Sequence, residues 1–139
     1  MATIRKEIPL NTPAERVWDV VRDVGAIHTR FAPGFVTDTQ LEEGARARLV
    51  TFANGYVARE LIVTLDERDR RLAYSVVGGV ASHHNSSFQV IPTGPDQSTL
   101  VWITDMLPDA AVEKIGPMIE AGSTVIQRTL SRSPPPRET

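Results

Sequence analysis

The chain has 139 residues, a length that suits one domain with a real hydrophobic core and leaves no room for a second. It contains no cysteine, which excludes disulfides, thiol nucleophiles and thiolate metal sites and suits a reducing compartment. Its formal charge is −2, and its lysines and arginines are scattered, so no basic run points to nucleic acid.

The opening residues, MATIRKEIPL, lack the apolar stretch of a signal peptide, and no apolar run approaches membrane-spanning length. The expectation is a cytoplasmic protein with no membrane span and no nucleic-acid partner.

Thr3 to Leu10 alternates, with Ile4, Ile8 and Leu10 on one side and Arg5 and Glu7 on the other, which predicts a half-buried strand. A helix start follows: Thr12 as the cap, Pro13 in the first turn, and Glu15 where a capping box wants it. Val17, Trp18, Val20, Val21 and Val24 continue at helical spacing, and Gly25 is a natural stop. Ala26 to Phe31 reads as a short second helix.

From Phe35 the pattern changes to strands. They are expected over Phe35 to Leu41, Arg46 to Phe52, Tyr56 to Leu65, Arg71 to Val77, His84 to Ile91 and Thr99 to Met106. Asn54-Gly55 is a hairpin signal, because both residues tolerate the positive φ of a tight turn. Gly78-Gly79 reads as a bend in a curving sheet rather than a phosphate loop.

Asp109 can cap a long helix from Ala110 to about Leu130, with Ile115, Met118, Ile119, Gly122, Val125 and Ile126 near one face. Gly116-Pro117 should kink it. The proline run from Ser133 predicts an unstructured tail, so the domain is expected to span residues 1–132 and the tail residues 133–139. Consecutive strands with one long terminal helix belong to the α+β class, because short turns pair neighbouring strands antiparallel.

Particular stretches carry a resemblance. Thr12-Pro13-Ala14-Glu15-Arg16-Val17-Trp18 at the first helix and Phe31-Ala32-Pro33-Gly34 after it are two. Arg71-Leu72-Ala73-Tyr74 and Leu100-Val101-Trp102 running to Pro108 are two more. In this order the chain resembles the START-like superfamily, which includes birch-pollen-allergen-type proteins and the polyketide cyclase/dehydrase-like group. Tyr74 to Gly79 is also similar to a stretch of the plant abscisic-acid receptors, but Val80-Ala81-Ser82-His83 departs from their latch sequence. The resemblance implies a helix-grip fold, in which about seven antiparallel strands wrap the C-terminal helix and leave a cavity for an apolar ligand.

Glu60 is the first candidate. It shares a strand face with Tyr56, Ala58 and Ile62, and Ile62 suggests that this face is inward. There the carboxylate can act as acid, base or hydrogen-bond anchor. The alternative is an outward Glu paired with Arg59 or an arginine on a neighbouring strand. Tyr74 with Val76 is a candidate pocket aromatic or an ordinary core residue, and Trp18 and Trp102 read as core.

His83 and His84 are adjacent, so on a strand they face opposite ways and cannot chelate one metal; no metal site and no cofactor are expected. His84 can serve as an acid or base at the pocket mouth. Leu49 and Thr51 look more inward than Arg46 or Arg48, and Asp105 becomes a second pocket carboxylate if Ile103 faces in. The expected lining is completed by Ser86, Phe88, Met118, Ala121, Gly122 and Val125.

No nucleophile elbow, dinucleotide fingerprint or zinc-protease motif is present. The leading expectation is reversible binding of a small hydrophobic molecule (a lipid, aromatic or polyketide-like compound) by a monomer or homodimer. The alternatives are a cyclase or dehydratase using Glu60, Tyr74 or His84, and a protein-interaction module.

Overall fold

Strand β1 (Ala2–Leu10) is followed by helix α1 (Ala14–Val21) and a π-helical turn at Ile27–Phe31. Six more strands come in succession: β2 (Val36–Leu41), β3 (Ala47–Phe52), β4 (Val57–Asp66), β5 (Arg71–Val77), β6 (His83–Gly94) and β7 (Gln97–Leu107). A 3₁₀ turn at Asp109–Ala111 leads into helix α2 (Val112–Leu130). This is a computed structural model, and it describes residues 2–131. The expected tail, 133–139, lies outside the described residues.

All seven strands form one sheet in the order β1-β7-β6-β5-β4-β3-β2, and every neighbouring pair is antiparallel. Short connections make each strand pair with the next in sequence, and only β1 crosses over, joining the far edge beside β7. Register shifts interrupt β2 against β3, β4 against β5, and β6 against β7. Such bulges add local twist, which helps a sheet of this width curl around a helix. The α+β class expected from the element order, and the helix-grip arrangement that the resemblance implies, are what the structure has.

The concave face carries the core. Ile8, Leu10, Val50, Leu72, Phe88, Val90, Leu100 and Met106 are buried beneath Ile115, Ile119, Ile126 and Leu130 of α2 and Val17, Trp18 and Val21 of α1. The N-terminal helices are held by charge pairs at their ends. Arg30 of the π-helical turn donates to Asp19 and Asp23 at 2.7 and 2.9 Å, and Trp18 and Arg22 both donate to Glu67 in the β4–β5 turn.

Two local expectations are corrected. Thr12 does not cap α1: its hydroxyl donates instead to the Leu130 carbonyl at the end of α2, 2.5 Å away, and Pro13 precedes the helix with no side-chain cap. A long-range acceptor has replaced the local one. Helix α1 also ends at Val21 rather than near Gly25, because the chain turns there to bring the π-helical segment back beside Asp19 and Asp23. Helix α2 continues through Pro117.

Candidate functional site

Between the sheet and the first half of α2 lies a cavity of about 460 Å³. Its rim is exposed and includes Asn54, Gly78, Val80 and Lys114, while its floor of Ala58, Glu60, Tyr74, Trp102 and Ile119 is buried. Phe35, Phe52, Tyr56, Val76, Ala81, His84, Ile115 and Met118 complete the wall. A smaller space of about 60 Å³ lies behind Phe35, Phe52, Glu60, Tyr74 and Trp102, which both spaces share.

The wall is built by strand alternation. In β3 the inward set is Arg48, Val50 and Phe52; in β4 it is Ala58 and Glu60; in β5 it is Tyr74 and Val76; in β6 it is His84, Ser86 and Phe88. Register then sets these residues opposite one another: Arg48 faces Glu60, Glu60 faces Val76, Tyr74 faces Ser86, and Phe88 faces Trp102. On the helix side Gly122 allows a close approach. A Cβ there would lie 3.0 Å from the Phe35 ring and 3.4 Å from Trp102.

Glu60 accepts a hydrogen bond at 2.8 Å from Arg48 Nε, and the same guanidinium donates to the Val24 carbonyl. Arg48 also lies over the Tyr74 ring, 5.2 Å from its centroid, in cation–π contact. Tyr74 and Trp102 flank Phe88, with stacked centroid separations of 6.0 and 4.7 Å. Burial, with the Glu60 charge second, pushes the Tyr74 phenol up, so it stays protonated. Burial, and then the neighbouring His83, pushes the His84 imidazole down, so it is neutral at neutral pH. The Ser86 hydroxyl lies 3.5 Å from His84 Nε2 and 2.8 Å from the Thr104 hydroxyl. The cavity is thus apolar, with one strip of neutral hydrogen-bonding groups and one internally paired carboxylate.

Of the residues expected from sequence to line a pocket, Tyr56, Ala58, Glu60, Tyr74, Val76, His84 and Met118 stand on this wall. Phe88 borders the smaller space, and Ser86 is buried beside Tyr74. Ile62, Val125 and Gly122 pack into the core instead.

Leu49 and Thr51 are on the outer face of β3, because the inward positions are taken by Arg48, whose charge Glu60 meets, and by Val50. Asp105 and Ile103 are likewise on the outer face of β7, where Asp105 accepts from Thr3 at 2.7 Å; the inward positions are Trp102, Thr104 and Met106. Ala121 is exposed, on the far side of α2 from Ile115 and Ile119. Arg59 does not reach Glu60 but makes a two-pronged contact with Glu42 on the surface.

The expected lining omits Phe35, Phe52, Asn54, Gly78, Val80, Ala81, Lys114, Ile115 and Ile119, and places Trp102 in the core sooner than against a ligand. For Phe52 a signal existed: it alternates with Val50 and so shares its face.

The family model for polyketide cyclase / dehydrase and lipid transport matches residues 1–132. The chain belongs to that family. No curated protein matches it in sequence. Among solved structures, XoxI from Bacillus cereus is similar at 18% identity and a TM-score of 0.83, over 94% of this chain and 96% of that one. A norcoclaurine synthase point mutant from Thalictrum flavum, in complex with a transition-state analogue, aligns at 19% identity and TM-score 0.70, with 93% of each chain covered. A START superfamily protein from Mycobacterium smegmatis aligns at 15% identity and TM-score 0.73, over 92% of this chain and 96% of that one. At these identities the likeness is one of fold. Among the described residues no helix is long and apolar enough to cross a membrane, and no cluster of three potential metal ligands occurs.

Proposed function

We propose that this family member reversibly binds one small, largely apolar molecule between the sheet and α2. The observation that carries the reading is the cavity of about 460 Å³, which lies within the ~300–1,000 Å³ typical of ligand pockets and has mainly aliphatic and aromatic walls. The family's description, which includes lipid transport, supports it. Glu60, Tyr74 and His84, the polar groups on the wall, would orient the ligand by hydrogen bonds.

Thermal-shift and native mass-spectrometric screening of alkyl and aromatic compounds tests this. A ligand at a hundredfold its Kd adds about 2.7 kcal/mol to the folded state. The expected result is one equivalent bound with a raised Tm, and loss of both in Val76→Trp, which fills the cavity. A panel in which nothing binds would overturn the proposal.

One observation favours a second reading, acid–base catalysis in the same cavity. His84 is held neutral at neutral pH within 3.5 Å of Ser86 and on the wall that Tyr74 and Glu60 share, so it can accept a proton from a bound ketide. Incubation with a short poly-β-keto thioester should then give a cyclised or dehydrated product that His84→Gln does not form. Absence of product with the unmodified protein counts against this reading.

A further inference from the structure

We propose that the cavity's ligand is an organic acid, with an apolar body inside and a carboxylate at the rim on Lys114. The inference rests on the binding reading above and adds the ligand's charge and orientation.

It follows from a charge inventory of the wall. The ionisable groups there are Tyr56, Glu60, Tyr74, His84 and Lys114. Glu60 is met by Arg48 at 2.8 Å, so that pair is neutral as a unit. Tyr74 stays protonated and His84 stays uncharged at neutral pH, each because burial disfavours its charged form. Lys114 has no carboxylate partner within 4.0 Å among the described residues, whereas Lys6 reaches Glu120 at 2.6 Å. The uncompensated charge of the wall is therefore one cation.

The position of Lys114 is not explained by helix stability. It is the third residue of α2, in the first turn, where the helix dipole disfavours a cation. The same stretch of helix supplies Ile115, Met118 and Ile119 to the cavity, so the ammonium adjoins an apolar surface. Lys114 is exposed, and a carboxylate that meets it at the rim keeps part of its hydration and avoids the cost of full burial. At the floor the same carboxylate would lose its hydration and find no unpaired cation, because Arg48 is already held by Glu60. Both effects orient an acid with its head outward and its body inward.

Isothermal titration of decanoate, 1-decanol and decylamine at neutral pH tests the proposal. Decanoate should bind about two- to fivefold more tightly than decanol, the range for an exposed ion pair, and decylamine most weakly. Lys114→Met should bring decanoate to the decanol value, Lys114→Arg should keep the preference, and Lys114→Glu should shift it to decylamine. Lys114 is exposed, so no variant should lower the Tm, and Lys114→Glu, whose charge suits the start of the helix, should raise it slightly. Equal binding of decanoate and decanol to the wild type, or a preference that survives Lys114→Met, would overturn this inference and leave the binding reading standing. If none of the three probes binds the wild type, both are overturned.

Discussion

Arg48 and Glu60 face each other across β3 and β4 with Nε 2.8 Å from Oε1, and both side chains are almost wholly excluded from solvent, at 3% and 8% exposure. Removing either partner leaves a charge in an apolar cavity. Arg48→Met and Glu60→Leu should each cost about 3–5 kcal/mol in urea unfolding, and the double variant should cost less than either single change. Additive losses would show that the two groups are not a unit.

Gly79 adopts φ +90°, and a Cβ there would fall 2.2 Å from the Tyr56 hydroxyl. Gly79→Ala should therefore cost about 1–2 kcal/mol through backbone strain, and also displace the Tyr56 ring from the cavity rim. In a Tyr56→Ala background only the backbone part should remain, so a double-mutant cycle separates the two effects. Equal costs in both backgrounds would show that the ring moves aside freely.

His84 is lowered from the ordinary value of 6.5 by burial first and by His83 second. The unfolded chain then binds more protons than the folded one as pH falls below about 6.5. The contribution of neutral His84 is complete above that value and is lost as pH falls through the depressed folded pKa. Wild type should lose more stability than His84→Gln between pH 7 and pH 5, read by urea midpoints; parallel curves would count against the shift.

Tyr74 moves the other way. Its phenol is raised above the ordinary 10.0, by burial and then by Glu60. Stability from keeping it protonated is complete below pH ~10 and is lost as pH rises through the folded value. Between pH 9 and pH 11 the wild type should lose more stability than Tyr74→Phe. A tyrosinate absorbance step from folded wild type near pH 10, missing in Tyr74→Phe, would contradict the shift.

The fold was legible because most strands are amphipathic with a period of two and because Asn54-Gly55 turns as hairpin residues do: Gly55 has φ +88°, and Tyr56 N–H bonds the Asn54 side chain. Alternation with Ala58 and Ile62 allows an inward Glu60 but fits an outward, arginine-paired one almost as well, and the family resemblance supplies the tilt. In β3 the alternation misleads. Hydrophobicity turned Leu49 inward and Arg48 outward, because a single strand does not reveal that Glu60 sits opposite Arg48 and cancels its charge. Asp105 failed likewise, since its partner Thr3 lies 102 residues away. Val80 and Ala81 reach the cavity from a loop, where no periodic pattern constrains direction, and Lys114 stands one turn before Met118 on α2 but carries a charge that hydrophobicity reads as outward.

The hydroxyl of Thr12 holds the Leu130 carbonyl, 118 residues on, and the carbonyl of Thr12 is held in turn by Ser98. During synthesis this clasp closes only after the last turn of α2 has left the ribosome. Until then only α1 covers the concave face, and the part that α2 buries lies open. Long-range closure of this kind slows folding, and a chain stopped short of Leu130 would lack the clasp that secures the end of α2.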